Sequence, residues 1–506
     1  MNKKNVLIYF LNIILIIPFF IITKNNNIFL YTLSYSLYIL LIMMFSHLNI
    51  SGILKKYLDL EYHYTKNKIY KTTILSILII SLMMGLLVTL SGLLLESLFS
   101  IKGIFFVYLM MSFSIFIIPT FNITLDYLEA HDFNKLKNFS IVVYYVSNFI
   151  FLIIASIIFF DVLKLEDYLS IGLLYTINIL SFIIIHIIIY LIIFKNKKVL
   201  FKATKTREEV KINYKNIIKD ILSNNIIKSF YNIIKYSFCY LSIILVYLIL
   251  TYRYFYNYNE VANVINITYF YGIRLVLIFI ILIRYISLDK KDKLIKLITK
   301  KDYIKFREDF TSFFYYIIRL MMACVILVSI ISGPIWMLIF KNNEGSSILL
   351  GLMILAFTFI LYLTFMDILI SLNNKKKIMI ILLSSLIIKL IITIPMIDSM
   401  WRMGYDLMYG DFLSSSLAYV VCIILSLVFI SKKCKLNFTK DFDKILNIIY
   451  ENIILCFILV LLTFIFKIEV KTRLSAILII ILYVSITISY FVILKKIKIK
   501  KLGDNR

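Results

Sequence analysis

Arg274 and Lys389 are the residues of this sequence whose type and setting most call for a chemical explanation. Arg274 stands in the run Gly272-Ile-Arg-Leu-Val-Leu277, and Lys389 in Leu386-Ile-Ile-Lys-Leu-Ile-Ile392. A guanidinium carries a planar fork of donors that grips two oxygens of a phosphate or carboxylate, and an ammonium is a compact point charge. Either group facing hydrocarbon costs at least about 3 kcal/mol on insertion scales, so each must face protein, water or an anion. The chemistry they suggest is electrostatic capture of an anion, with phosphate or diphosphate the natural candidate. Lys235, Arg284 and Arg319 also fall inside apolar runs. Lys235 and Arg284 lie near run ends, where a long stem can lift the charge to the interface, and Arg319 is intermediate. Carboxylates to pair with Arg274 and Lys389 are expected to be missing, because Asp126, Asp367 and Glu451 sit near run ends.

Tyrosine is the second candidate chemistry. Tyr31, Tyr35 and Tyr38 recur at helical spacing, and Tyr269 and Tyr271 precede Arg274. Their hydroxyls could donate to a sugar. With 37 Tyr in the chain, packing in the core or at the lipid interface is the reading given more weight.

Other chemistries find no support. Cys239, Cys324, Cys422, Cys434 and Cys456 are scattered without paired spacing and suit small buried apolar residues. His47, His63, His131 and His186 form no H-x-x-x-H pair, so no metal site is expected. No phosphate-binding glycine loop of the Walker type occurs. Neither a catalytic residue nor a cofactor is expected, and an enzyme is not.

The elements that hold these residues follow from composition. Of 506 residues 62% are hydrophobic and 16% charged, which excludes a water-soluble fold of this size. Gly 12 and Pro 4 are few, which favours long uninterrupted helices. Apolar windows of spanning length lie near 5–23, 28–49, 72–96, 103–127, 139–160, 168–194, 229–252, 260–288, 310–340, 346–371, 378–398, 411–431, 445–466 and 474–494, about fourteen in all. The first is too long, and lacks the small-residue cleavage site, for a signal peptide. The fold class is therefore an all-α polytopic membrane protein.

The 55 Lys+Arg against 28 Asp+Glu give a net charge of +27. Assigning alternate gaps to alternate sides puts about four-fifths of the basic residues on the side that holds both termini. Both termini are expected to be cytoplasmic, facing an anionic inner leaflet. A nucleic-acid partner is excluded, since no soluble module interleaves aromatics with the basic residues. The gaps on the other side, such as Asp161–Asp167, are short, too short for a folded catalytic domain. No Asp or Glu is expected at mid-membrane to carry H⁺ or Na⁺, which weakens a cation-coupled exporter.

An internal echo divides the chain. Asp126-Tyr-Leu-Glu-Ala-His-Asp-Phe-Asn-Lys-Leu-Lys137 closes the fourth window, and Asp367-Ile-Leu-Ile-Ser-Leu-Asn-Asn-Lys-Lys-Lys377 closes the tenth. The offset of about 240 residues is half of a twelve-helix core, as in transporters built from parallel repeats. The expected organisation is an N-terminal lobe at 1–194, a basic cytoplasmic linker at 195–228, a C-terminal lobe at 229–431, and a last helix pair with a basic tail at 432–506.

Several segments together resemble a known family. Ile28-Phe-Leu-Tyr-Thr-Leu-Ser-Tyr-Ser-Leu-Tyr38 followed by Asn49-Ile-Ser-Gly-Ile-Leu-Lys-Lys-Tyr57 is similar to the second helix and following basic amphipathic helix of the multidrug/oligosaccharidyl-lipid/polysaccharide (MOP) exporter superfamily, in its Gram-positive lipid II flippase branch (MurJ/YtgP-like). Tyr127-Leu-Glu-Ala-His131 with Ser140, Gly333-Pro334-Ile335 with Leu338-Ile-Phe-Lys341, and Ile388-Lys389-Leu390 through Ile397, Tyr409-Gly410 and Leu417-Ala-Tyr419 resemble further signatures of that branch. The chain departs from the family at Asn49-Ile50-Ser51 and Glu129-Ala130, and the first window carries no Arg.

The resemblance implies two six-helix lobes in a V with two further C-terminal helices, and a central cationic cavity. It implies transport of a polyprenyl-diphosphate-linked sugar, most naturally lipid II for peptidoglycan, from the inner to the outer leaflet of a bacterial cell membrane by alternating access. Headgroup contacts carry over onto Arg274, Lys389, Lys55 and Lys56; Lys235, Arg319, Tyr35 and Tyr38 complete the candidate site. The partners implied are the lipid-linked glycan, the bilayer, and cell-wall or polysaccharide synthesis enzymes. The competing readings are a flippase for capsule or O-antigen repeat units, a cation-coupled small-molecule exporter, and a membrane-embedded glycan polymerase or glycosyltransferase.

Overall fold

A computed structural model of the chain describes residues 28–46, 63–130, 133–195, 238, 240–341, 345–372, 375–435, 442–465, 470 and 472–503. Every regular element among them is helical. In hydrocarbon the backbone must satisfy its own hydrogen bonds within each segment, and a helix does so. Ten of the helices are long and apolar enough to cross a membrane, and Ile104–Ile117 and Tyr240–Tyr252 are shorter apolar stretches. The first window, 5–23, and residues 229–237 and 239 of the seventh lie outside the described residues; the described parts of the other windows fall on helix, with 310–340 divided between two. Buried Ser and Thr bond back to carbonyls of their own helices, as Thr32 does to Ile28 O at 2.9 Å and Thr364 to Ile360 O at 2.8 Å. This lets hydroxyls sit inside apolar helices without an orphan donor.

The described residues divide into two compact units, one running to Asn266 and one starting at Ile267. The N-terminal unit contains α1 (Ile28–Ser46), α2 (His63–Phe99), α3 (Ile104–Ala130), α4 (Asn134–Ser156, continued by a π-helical turn Ile157–Val162), α5 (Asp167–Lys195), α6 (Tyr240–Tyr252) and α7 (Tyr258–Ile265). α1 is buried on nearly every side, with Phe29, Leu30, Leu33 and Ser34 all fully enclosed. α3 packs on α1, α2 and α5. The α2–α3 hairpin is closed by Glu96, whose carboxylate accepts from Gly103 N at 3.3 Å and Phe105 N at 2.9 Å and so satisfies donors at the start of α3. Gly103 has φ +79, and a Cβ there would lie 2.5 Å from Tyr168, so this turn requires glycine.

The sequence opens its C-terminal lobe at 229, yet α6 packs in the N-terminal unit. The Tyr240 hydroxyl lies 3.1 Å from that of Tyr108, and Tyr247 stacks on Phe29 at 5.3 Å. Hydropathy locates an apolar helix but not the aromatic partners that decide where it docks. The basic stretch 195–228, expected as a linker, lies outside the described residues apart from Lys195, the last residue of α5.

The C-terminal unit begins at Ile267, within the π-helical turn Asn266–Gly272 that leads into α8 (Ile273–Thr299). It contains further α9 (Tyr303–Ile330), α10 (Ser332–Phe340), α11 (Ser346–Ser371), α12 (Lys375–Arg402), α13 (Met408–Cys434), α14 (Phe442–Ile465) and α15 (Arg473–Gly503). α11 is buried along its length and packs on α8, α9 and α13. α14 and α15 dock on α9 and α10 through Ala323, Ile331, Leu455, Leu459 and Tyr483.

Several helices run past the apolar windows. α8 continues to Thr299 and α9 begins at Tyr303, so the basic gap expected at 289–309 is mostly helix. Lys and Arg are good helix formers, and hydropathy marks only the part of a helix that lipid would accept. The window 310–340 is broken at Ile331, where Gly333-Pro334 follows; proline lacks the N–H that would continue the ladder. The echo holds as geometry: α3 ends at Ala130 and α4 begins at Asn134, and at the same offset α11 ends at Ser371 and α12 begins at Lys375.

Outward-facing stripes are almost wholly apolar. α2 exposes Leu75, Ile79, Leu82, Leu86, Leu90 and Leu93, and α14 exposes Ile453, Phe457, Val460 and Phe464. Stripes of this extent on successive helices are a lipid-facing surface, for water would drive them together.

Candidate functional site

α12 and α13 form the tightest helical pair of the C-terminal unit, and their approach depends on a glycine. A Cβ at Gly410 would lie 2.4 Å from Ile397 Cα and 2.5 Å from its N, so the two backbones nearly touch. α12 stops at a Schellman motif: Gly404 has φ +76, its N–H donates to Trp401 O at 3.0 Å, and Tyr405 N–H donates to Met400 O at 3.0 Å. Asp406 then accepts from Met408 N at 2.9 Å and turns the chain into α13. The two helices therefore run antiparallel with side chains interleaved.

Within that pair lies the most buried charge cluster among the described residues. Lys389 is 0% exposed and Asp411 1%. Lys389 Nζ donates to Asp411 Oδ1 at 3.0 Å and also to Ser415 Oγ. The other carboxylate oxygen, Oδ2, accepts from the Tyr269 hydroxyl at 2.6 Å. Thr393 Oγ1 donates to Lys389 O at 2.6 Å and lies 3.2 Å from Ser414 Oγ, which donates to Asp411 O at 2.9 Å. Three segments meet here: the π-helical turn through Tyr269, the middle of α12, and the first turns of α13.

This cluster corrects one expectation. A carboxylate does stand at the depth of Lys389, and it is Asp411. The sequence places Asp411 at the edge of its apolar window, which suggests an interfacial residue. The offset between α12 and α13, together with the four-carbon stem of lysine, brings ammonium and carboxylate to one level. A signal was present: Asp411, Ser414 and Ser415 at i, i+3 and i+4, and Lys389 and Thr393 at i and i+4, place polar groups on one face of otherwise apolar helices.

Arg274 lies one turn of chain beyond Tyr269, in α8. Its residue is 6% exposed, and the guanidinium carbon stands 3.7 Å above the centroid of the Phe270 ring. Such a contact, away from water, is worth about 2 kcal/mol. Phe270 is itself held edge-on by Tyr271 at 4.8 Å, and Tyr271 by Phe340 at 4.7 Å. The π-helical turn carries both Tyr269 and Phe270, so one local irregularity sets the positions of Asp411's hydroxyl donor and of the Arg274 platform. Wide turns of this kind re-aim side chains within a helix and recur at functional sites.

Two further cations of apolar helices, Arg319 and Arg284, have carboxylate partners among the described residues. Arg319 of α9 pairs with Glu451 of α14 at 3.1 Å. Arg284 of α8 is 3.2 Å from Asp367 of α11, which also holds Lys291 at 3.0 Å. Asp126 and Asp367 sit in the last turns of α3 and α11 as expected, whereas Glu451, expected near an end, lies buried well inside α14, which starts upstream of its apolar window at Phe442; Asp367 and Glu451 each engage a cation of a neighbouring helix. Lys235, Lys55 and Lys56 lie outside the described residues.

Tyr35 and Tyr38 belong to the N-terminal unit. Tyr31 and Tyr35 stack at 5.3 Å, Tyr35 and Tyr38 at 6.4 Å, and Tyr38 packs on Tyr175 at 5.4 Å. Tyr175 OH shares a 2.8 Å hydrogen bond with Ser34 Oγ, and Ser114 Oγ donates to the Tyr175 carbonyl at 2.7 Å. Tyr31 and Tyr38 are each 5% exposed, so the ladder joins α1, α3 and α5 as core. Among the described residues Cys324, Cys422, Cys434 and Cys456 are free, and no group of His, Cys, Asp and Glu has the arrangement of a metal site.

No model of a known protein family matches this chain, and no curated protein matches it. Solved structures do. One described as lipid II flippase MurJ in an inward closed conformation aligns with a TM-score of 0.63 at 16% identity, covering 96% of this chain and 98% of that one. An inward-facing multidrug resistance MATE family transporter of the MOP superfamily aligns with a TM-score of 0.61 at 13% identity, covering 83% of this chain and 94% of that one. A MOP superfamily transporter from Pyrococcus furiosus aligns with a TM-score of 0.51 at 14% identity, covering 86% of this chain and 96% of that one. At these identities the fold is what is shared. The chain is a multi-pass membrane protein with the fold of the MOP superfamily transporters.

Proposed function

We propose that this protein, built on the MOP transporter fold, is a flippase of a bacterial cell membrane that moves a polyprenyl-diphosphate-linked sugar precursor from the inner to the outer leaflet, with lipid II the first candidate. It acts as a carrier and not as an enzyme. The observation that carries this reading is Arg274: a guanidinium buried in an apolar helical run, seated over the Phe270 ring, and suited to the oxygens of a diphosphate. The extent of the likeness supports it. The match to the lipid II flippase covers nearly the whole of both chains, whereas the MATE match covers nearly all of that transporter and 83% of this protein. In this reading the headgroup reaches Arg274 when the protein opens to the cytoplasm, and a conformational change presents it to the other side.

A cation-coupled exporter of the MATE type is the second reading, and Asp411 is the observation in its favour, being a buried carboxylate in the membrane-spanning part. Both oxygens of that carboxylate already accept from groups of the chain, Lys389 and Tyr269, which leaves the flippase reading ahead. A capsule or O-antigen repeat unit would use the same diphosphate contact.

Depletion of the protein in its host, followed by quantitation of lipid-linked precursors on the inner leaflet, tests the assignment. Accumulation of lipid II supports the first candidate, and accumulation of another diphosphate-linked glycan moves the headgroup assignment to that glycan. Unchanged precursor pools would overturn the flippase reading. Arg274→Ala should fail to complement the depletion at wild-type membrane abundance, with Arg274→Lys restoring part of the function.

A further inference from the structure

Asp411 is a carboxylate buried to 1% exposure in the membrane-spanning part of the C-terminal unit, a setting in which a carboxylate pairs with a cation of the chain or marks an ion or proton pathway. Its surroundings are those of a small oxygen-lined cation site. The carboxylate Oδ1 and the hydroxyl oxygen of Ser415 converge on one point, and the hydroxyls of Ser414 and Thr393 lie in the same layer, 3.2 Å from each other. Carboxylate and hydroxyl oxygens are the donor set that hard cations prefer. The point on which they converge is filled by the Lys389 ammonium. Lys389 starts from the middle of α12, about 20 Å of helix from either end, so this charge is not a surface group folded inward.

We propose that Lys389 is a built-in counter-cation: its ammonium occupies, in place of a dissolved monovalent cation, the carboxylate–hydroxyl site formed by Asp411 and Ser415. An ion tethered to the chain cannot leave when the salt changes, so the C-terminal unit keeps one charge state, with the π-helical turn anchored through Tyr269, whatever the Na⁺ or K⁺ concentration. Removing the ammonium while keeping the carboxylate uncovers the site. This inference is independent of which lipid the protein moves, since it concerns an ion pair within one unit.

Thermal unfolding of the full-length protein in detergent at fixed pH and equal ionic strength, in NaCl, KCl or choline chloride, tests it. Wild type should unfold at one temperature in all three salts. Lys389→Ala should unfold lower in choline and gain about 2 °C or more in NaCl or KCl, rising with cation concentration as a ligand-linked shift does. Lys389→Ala/Asp411→Asn should lose that response. Stabilisation of wild type by Na⁺ or K⁺ over choline would overturn the proposal, and this measurement needs no variant to fold. It is also overturned if Lys389→Ala responds to neither cation, or if acidification alone stabilises it, which would make Asp411 a proton site.

Discussion

Gly410 and Ile397 bring the backbones of α13 and α12 into direct contact, with no room for a methyl group between them. The neighbouring atoms are main-chain atoms of Met396 and Ile397, which cannot rotate aside. Gly410→Ala should therefore push the helices apart and loosen the Lys389–Asp411 pair, lowering stability by about 3 kcal/mol. Gly333→Ala is the control, because nothing lies within 4 Å of the place its new Cβ would take, and it should change stability by less than about 1 kcal/mol. Thermal unfolding in detergent compares the two.

The buried ion pair should behave as a unit. Lys389→Met alone or Asp411→Asn alone leaves its partner's hydrogen-bonding and charge demand unmet in an apolar interior, and each should cost about 3–5 kcal/mol. The double variant should be markedly more stable than the sum of the two losses allows. Simple additivity of the two substitutions would show that the groups do not interact.

Tyr269→Phe removes one hydroxyl and leaves the ion pair in place. It should cost about 1.5–3 kcal/mol, as expected for a hydrogen bond to a charged group. Its diagnostic effect is local: amide hydrogen exchange across Asn266–Gly272 should accelerate while exchange in α11 stays at wild-type rates. Equal acceleration in both would mean that Tyr269 supports the whole unit and not the π-helical turn in particular.

The distribution of basic residues predicts sidedness. Lys293 is in the Lys-rich end of α8, and Tyr405, 61% exposed, lies in the short α12–α13 turn. With the five native cysteines replaced, a membrane-impermeant maleimide should label Tyr405→Cys in intact cells and Lys293→Cys only after permeabilisation. The opposite pattern would invert the topology.

The sequence by itself determined that the chain is helical and membrane-spanning, because hydropathy and a scarcity of Gly and Pro act locally, one helix at a time. It located the apolar helices that the structure describes, and the echo that repeats the α3–α4 turn at α11–α12. It also singled out Arg274 and Lys389, since a cation in an apolar run is conspicuous without any knowledge of its neighbours. Partnership was decided only in the tertiary structure. Asp411 looks interfacial along the chain and becomes buried because two antiparallel helices pack with an offset that Gly410 permits. Tyr269 is one of 37 tyrosines until a π-helical turn aims it at that carboxylate. Likewise α6 reads as the start of a second lobe until Tyr240 and Tyr247 find Tyr108 and Phe29. Hydrophobicity is a property of a residue and can be read from its letter; the register and offset of packed helices are properties of pairs of surfaces, and they exist only once the chain has folded.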